Sequence, residues 1–218
     1  MNAEENQAQS DSGIYICLIS IHGLIRGENL ELGRDADTGG QTKYVVELAR
    51  ALAKEPGVRQ VDLLTRLVDD PEVSPDYAQP SEELGERARI VRIAAGPPGY
   101  LAKEALWDLL DLYIDNCIDW LRTQSRMPDL LHSHYADAGY VGSRLSHLLG
   151  IPLVHTGHSL GRNKLAKLEA SGMNIMDINK RYKMDVRVKA EEDIIQKSQH
   201  HFIPDFRPKK SASIFTGV

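Results

Sequence analysis

The chain has little that would tie it to nucleic acid, to a bilayer or to an oxidising compartment. Its 26 lysines and arginines are outnumbered by 31 aspartates and glutamates, a formal net charge of −5 over 218 residues. That balance supplies no basic footprint for neutralising a phosphate backbone. Cysteine is nearly absent: Cys17 and Cys117 sit in separate apolar segments, make no disulfide framework, and suit a reducing cytoplasm. No continuous apolar run is long enough to span a bilayer. The leader 1–13 (MNAEENQAQSDSG) lacks the apolar core of a secretory signal and is expected to be disordered. Also missing are a G-x-G-x-x-G after the first apolar segment and a G-x-x-x-x-G-K-[ST] anywhere, which argues against a dinucleotide enzyme and a P-loop NTPase. There is no internal repeat and no low-complexity tract.

What is present is an ordinary globular composition, 42% hydrophobic and 26% charged, enough for one sizeable core. Ile14 to Ile21 (IYICLISI) is a near-continuous apolar run, the signature of a strand buried on both faces of a parallel sheet. A long polar loop follows, His22 to Gln41, ending in Gly39-Gly40. From Thr42 the residues Tyr44, Val45, Leu48, Ala49 and Leu52 recur at helical spacing, and Pro56-Gly57 ends that helix. The alternation continues with a strand at Val61–Thr65, a loop holding Pro71, Pro75 and Pro80, and a strand at Arg89–Ala95. A Gly96-Pro97-Pro98-Gly99 loop leads to one long helix on which Leu106, Leu109, Leu110, Tyr113, Ile114, Cys117 and Leu121 trace a single face. Asp129–Tyr135 predicts a strand, Ala138–Leu149 a helix closed by Gly150, Pro152–His155 a strand, and 163–197 a charged helical region. Strand and helix in alternation predict an α/β fold, a Rossmann-like open parallel sheet with helices on both faces. Ligands of such sheets bind at the carboxyl ends of the strands.

Several residues there could carry chemistry. Gly39, Gly40 and Gln41 stand between the first strand and its helix, where backbone N–H groups can approach a phosphate or sugar; a plain turn explains them equally well. Asp35 and Asp37 read better as solvated loop carboxylates than as a metal pair, because no further carboxylate joins them. His132 and His134 alternate on a strand and share a face, with Asp137 beyond. Without a clear third ligand they favour a polar crevice lining over zinc, so no metal is assigned. His155 and His158 (HTGHS) are similarly ambiguous, although His158 sits on a turn after a buried strand, where reactive side chains are exposed. Lys103, Lys164, Arg181 and Arg187 are candidate anion ligands, each with a surface role as its alternative. Lys167, Lys180, Lys183 and Lys189 read as a solvated helix face.

Four segments together carry a resemblance: HGLIRGENLELGRDADTGGQTKYVVELARAL (22–52), YLAKEALWDLL (100–110), PDLLHSHYADAGYVG (128–142) and VHTGHSLGRNKL (154–165). In order and spacing, over about 14–192, the chain resembles the sucrose-phosphate synthases and, more loosely, the sucrose synthases. The resemblance implies one half of a GT-B architecture, two Rossmann-like domains facing across a cleft. It implies transfer of glucose from UDP-glucose, a donor substrate and not a cofactor, to the 2-hydroxyl of fructose 6-phosphate with retention, in the cytoplasm and without further cofactor. It places Gly39, Gly40 and Gln41 against the sugars and donor phosphates. Lys103, Tyr135, Ser159, Lys164 and Arg187 fall around the acceptor phosphate, and His158, the catalytic candidate, against the transferred glucose.

Two departures are visible. Where these synthases pair arginines before A-E-[ER], this chain has Asp185-Val186-Arg187 ahead of Ala190-Glu191-Glu192, so one phosphate ligand is missing. From about Asp193 the resemblance stops, and 193–218 is expected to be a tail foreign to the family, with no donor domain after it. The chain alone is accordingly expected to be inactive and to self-associate through its exposed cleft face. A non-catalytic sugar-phosphate- or partner-binding module and a sucrose synthase-like enzyme are the alternatives.

Overall fold

The computed structural model describes residues 13–197, 200–202 and 214–215. The leader expected at 1–12 and most of 198–218 lie outside them. The strands are β1 (Ile14–Ile19), β2 (Val58–Arg66), β3 (Ser81–Gly85), β4 (Ala88–Ile93), β5 (Leu130–His134), β6 (Leu153–Thr156), β7 (His200–Phe202) and β8 (Ile214–Phe215). They form one sheet in the order β3-β4-β2-β1-β5-β6-β7-β8. Among the described residues only β3 with β4 and β7 with β8 pair antiparallel, both at the margins. From β1 the chain first builds outward through β2 and β4, then returns to build β5, β6 and β7 on the other side of β1. The switch point between β1 and β5 is where such sheets open a crevice.

The helices are α1 (Gly40–Leu52), α2 (Lys103–Leu106), α3 (Leu110–Arg122), α4 (Ala136–Leu149), α5 (Gly161–Ala170), α6 (Ile175–Tyr182) and α7 (Met184–Lys197). Alternation along β1 divides the core between the two faces. Ile16 and Leu18 pack with Val45, Val46 and Ala49 of α1, while Cys17 and Ile19 pack with Leu110, Tyr113 and Ile114 of α3 and Val141 and Leu145 of α4. Each fully buried Leu or Ile contributes about 1.5–3 kcal/mol of transfer free energy, so a central strand apolar at every position can only sit between two helical layers. This is the Rossmann-like sheet, helices on both faces, that the sequence predicts.

The details differ in four places. The single long helix expected before Pro128 is broken into α2 and α3 by a 3-10 turn at Trp107–Leu109. The proline loop holds another 3-10 turn, Pro75–Ala78, and leads into β3. The charged region 163–197 is three helices; Asn174 caps α6 by accepting from the Asp177 N–H at 2.9 Å, and Lys183 ends α6 in the left-handed region, φ 48°. Finally α7 runs through Asp193 to Lys197, so the point where the family resemblance ends is not an element boundary, and β7 extends the sheet in parallel beside β6.

Candidate functional site

β1, β5 and β6 end side by side at the switch point, and each hands the chain to polar residues. β5 ends at His134, and the next residue, Tyr135, turns the chain into α4 with φ 77° and ψ 170°. After β6, His158 also adopts a positive φ, 54°. Such conformations cost about 1–3 kcal/mol for residues with a side chain, and these two bulky rings bear the cost at strand ends facing the crevice.

One pocket there is lined by Lys103, Glu104, Trp107, Tyr135, Asp137, Lys164, Tyr182 and Arg187. Its cations come from three separate helices, α2, α5 and α7. Lys103 is tied to Asp37, whose carboxylate accepts both its backbone N–H, at 2.8 Å, and its ammonium. The Lys164 ammonium lies over the Tyr182 ring, 4.3 Å from the centroid. Burial lowers its pKa, and the nearby Lys103 and Arg187 charges lower it further, only partly opposed by Glu104 and Asp37. Arg187 is 3% exposed and heavily engaged. Its Nε donates to Glu191 at 2.9 Å, its Nη2 donates to the Ser159 hydroxyl and carbonyl at 3.0 Å each, and its guanidinium lies 4.4 Å from the Tyr135 ring centroid. Three cations thus converge on one small space, with Glu104 and Asp137 also lining it. The cavity between them is about 10 Å³, the size of one water. Room for a larger group would have to come from movement of the lining side chains.

A second group adjoins it. His134 Nδ1 and His158 Nε2 are 3.1 Å apart, and the Tyr44 ring meets both imidazoles edge-on. Burial holds His132 and His158 at a pKa of about 4, and pushes His134 well down, aided by the neighbouring imidazoles. Gln41 reaches the same place from α1, its amide donating to the Ser20 hydroxyl at 3.3 Å and the His134 carbonyl at 3.4 Å. Gly39 is the N-cap of α1 and uses no side chain for it. His22 links the two groups: its Nδ1 is 2.8 Å from the Asp137 carboxylate, and its ring meets Tyr135 edge-on at 4.6 Å.

Of the residues singled out from sequence, Lys103, Tyr135, Lys164 and Arg187 line the first pocket and Ser159 backs it through Arg187. Gln41 and His158 belong to the second group, with Gly39 and Gly40 at the head of α1 beside Gln41. Arg181 is exposed and outside the pocket. His132 and His134 do share a face, their rings 4.2 Å apart, and among the described residues no group of three or more His, Cys, Asp or Glu could hold a metal. Reading Asp35 and Asp37 as solvated is corrected. Asp37 is 7% exposed and holds Lys103, while Asp35 accepts from the Asp37 and Thr38 N–H groups at 2.8 Å each and so shapes the loop before Gly39. His22, Glu104, Trp107 and Tyr182 were not singled out. His22 alone left a trace, as the first polar residue after the β1 apolar run.

Residues 39–182 match the family model of the glycosyl transferase 4-like domain. The sucrose-phosphate synthase of Zea mays is 47% identical over 212 residues, covering 85% of this chain and 20% of that protein. The protein named "Probable sucrose-phosphate synthase 1" of Oryza sativa subsp. indica is 47% identical over 216 residues, covering 87% of this chain and 20% of its own length. Among solved structures, sucrose-phosphate synthase from Thermosynechococcus elongatus superposes with a TM-score of 0.67 at 27% identity, covering 86% of this chain and 41% of that one. The chain spans about one fifth of the length of the curated relatives it matches. No helix among the described residues is long and apolar enough to cross a membrane. With its switch-point crevice and cationic pocket, this Rossmann-like chain belongs to the glycosyl transferase 4-like domain family and is homologous to the sucrose-phosphate synthases.

Proposed function

We propose that the chain is the acceptor-side half of a retaining, UDP-glucose-dependent glucosyltransferase of sucrose-phosphate synthase type, binding the phosphate of fructose 6-phosphate among Lys103, Lys164 and Arg187. The observation that carries this reading is the convergence of those three cations with Tyr135 on one pocket. Ammonium and guanidinium donors around a dianion are the strong class of hydrogen bond. In the proposed reaction the bond from the glucose anomeric carbon to the UDP phosphate breaks and a bond to the acceptor 2-hydroxyl oxygen forms. The hydroxyl proton passes to the departing phosphate, so the protein's contribution is positioning and electrostatics. Gly39, Gly40, Gln41 and His158 would face the glucosyl group, and a second Rossmann-like domain of the GT-B kind would hold the uridine diphosphate. A cytoplasmic enzyme needing no metal or cofactor fits this chemistry.

Calorimetry on the folded 218-residue chain with fructose 6-phosphate and with fructose tests the reading. Binding of the phosphate ester alone, weakened in Lys164→Ala, is the expected result. Equal binding of both sugars, or of neither, removes the case for an acceptor-phosphate pocket, and a preference for fructose favours a sucrose synthase-like enzyme.

A further inference from the structure

His134 closes β5 with its ring wholly buried. On one side its Nδ1 faces Nε2 of His158 at 3.1 Å; on the other its Nε2 has no hydrogen-bond partner among the described residues. The His132 ring lies against it, centroids 4.2 Å apart and tilted 35°. Tyr44 fixes the pair from the side, its ring 5.8 Å from that of His134 and 5.2 Å from that of His158. Both imidazoles are neutral near neutral pH, because burial lowers the pKa of each.

A neutral imidazole carries one N–H and one lone pair, so one of the two facing nitrogens donates and the other accepts. Were His158 the donor, the single proton of His134 would sit on Nε2, a buried N–H with nothing to receive it. With His134 donating from Nδ1, the nitrogen left over bears only a lone pair. Orphaned buried donors are the rarer of the two defects in folded proteins, and the geometry selects the second arrangement.

We infer that His134 is a positioning residue for His158, its Nδ1–H donating to Nε2 of His158 and fixing that ring as the Nδ1–H tautomer. The consequence is chemical. With its Nε2 lone pair engaged, His158 does not act as a base through that nitrogen, and its ring proton is carried on Nδ1. A histidine so fixed is suited to donating to a sugar oxygen and unsuited to deprotonating an acceptor hydroxyl. This use of the tautomer rests on the proposed glucosyl transfer, whereas the tautomer itself does not.

Long-range proton–nitrogen NMR of the 15N-labelled full chain near neutral pH reads the tautomer directly, with the His158 signals assigned by their loss in His158→Asn. The expected wild-type spectrum has Nδ1 of His158 pyrrole-type and Nε2 pyridine-type. His134→Phe keeps a ring in the space but removes the donor, and should shift His158 toward the Nε2–H form that imidazole favours in water. His134→Asn, whose side-chain amide nitrogen reaches the place of Nδ1, should restore the wild-type pattern. An Nε2–H His158 in the wild-type protein overturns the inference, as does a folded His134→Phe chain in which the tautomer is unchanged. If His134→Phe does not fold, the wild-type spectrum and His134→Asn still decide. All spectra are recorded without a sugar, so a chain that binds no sugar phosphate yet shows the Nδ1–H form sinks the proposed function and leaves this assignment standing.

Discussion

The buried Asp37 carboxylate takes both the backbone N–H and the ammonium of Lys103, joining the loop before α1 to the first turn of α2 across 66 positions of sequence. Asp37 and Lys103 side chains are 5% and 17% exposed. Breaking a buried pair from one side leaves a charge without a partner and costs roughly 3–5 kcal/mol. Lys103→Met is therefore expected to destabilise the chain by about 3 kcal/mol in urea unfolding, the low end because the ammonium is partly solvated. A loss under 1 kcal/mol would show that this ion pair does not hold the loop.

Arg187 and Glu191 make the second such test. Glu191 accepts from Arg187 Nε at 2.9 Å and from the Gly161 N–H at 2.6 Å, so one carboxylate anchors both the arginine and the start of α5. Glu191→Ala orphans both donors, and about 3–5 kcal/mol of destabilisation is expected. Arg187→Lys keeps the charge but not the fork that reaches Glu191 and Ser159 together. It should weaken fructose 6-phosphate binding about tenfold, equivalent to ~1.4 kcal/mol, and calorimetry that finds the affinity unchanged would remove Arg187 from the proposed phosphate site.

The histidines set an acid limit. The folded pKa values of His132 and His158, about 4, lie below the unfolded value of about 6.5, because burial disfavours the imidazolium. The unfolded chain therefore binds protons first, and stability that is complete above pH 6.5 is lost as the pH falls from there to about 4. Each group contributes a slope of at most ~1.4 kcal/mol per pH unit, discounted for His158 because its ring is not fully buried. Asp35 and Asp129 act lower. Burial raises the pKa of each, but hydrogen bonds from the Asp37 and Thr38 N–H groups to one, and from the Tyr15 N–H and Arg126 to the other, outweigh it. Their stabilisation is lost only below the ordinary carboxylate value near 4. Urea unfolding at a series of pH values should show the histidine window first, and His132→Gln should reduce its slope by that residue's share. A flat profile between 6.5 and 4 would mean these imidazoles take up protons in the folded chain.

What could be read from sequence follows from where periodicity speaks. β1 is apolar at nearly every position and can only be a central strand, and α1 announces itself through Val45, Ala49 and their neighbours. β3 could not be found this way: in SEELG only Leu84 is buried, and its place comes from pairing with β4. That Lys103, Lys164 and Arg187 come together on one pocket was suggested by resemblance, since a lysine on a helix carries no sign of what it faces. Tyr182 was not, because its meeting with Lys164 is set by the turn between α5 and α6 and not by either helix alone. Asp37 was misread because loop carboxylates have no periodicity to signal burial; only the tertiary approach of α2 encloses it.

Gly39 and Gly40 allow fold and function to be separated. A Cβ built on either would meet nothing within 4 Å, and neither has a positive φ, so neither space nor backbone conformation asks for a glycine there. Replacing such glycines with alanine reduces unfolded-state entropy and commonly stabilises by about 0.4–1 kcal/mol. Gly40→Ala, at the first helical position, should therefore raise the urea midpoint of the chain slightly, whereas Gly39→Ala, at the N-cap of α1, exchanges glycine for a poorer capping residue and should leave the midpoint unchanged or slightly lower. Gly23→Ala is the control, because its φ is +80° and a Cβ would stand 2.5 Å from the Asp37 carbonyl oxygen, which predicts a clear loss of stability. If the open space before α1 is where the donor sugar and phosphate approach the backbone, the same two alanines should lower kcat/KM for UDP-glucose tenfold or more when the chain is joined to a donor domain of a related synthase. Stability nearly unchanged or gained, together with transfer lost, would assign these glycines to the ligand. Transfer unchanged in both variants would return Gly39 and Gly40 to the status of a plain turn.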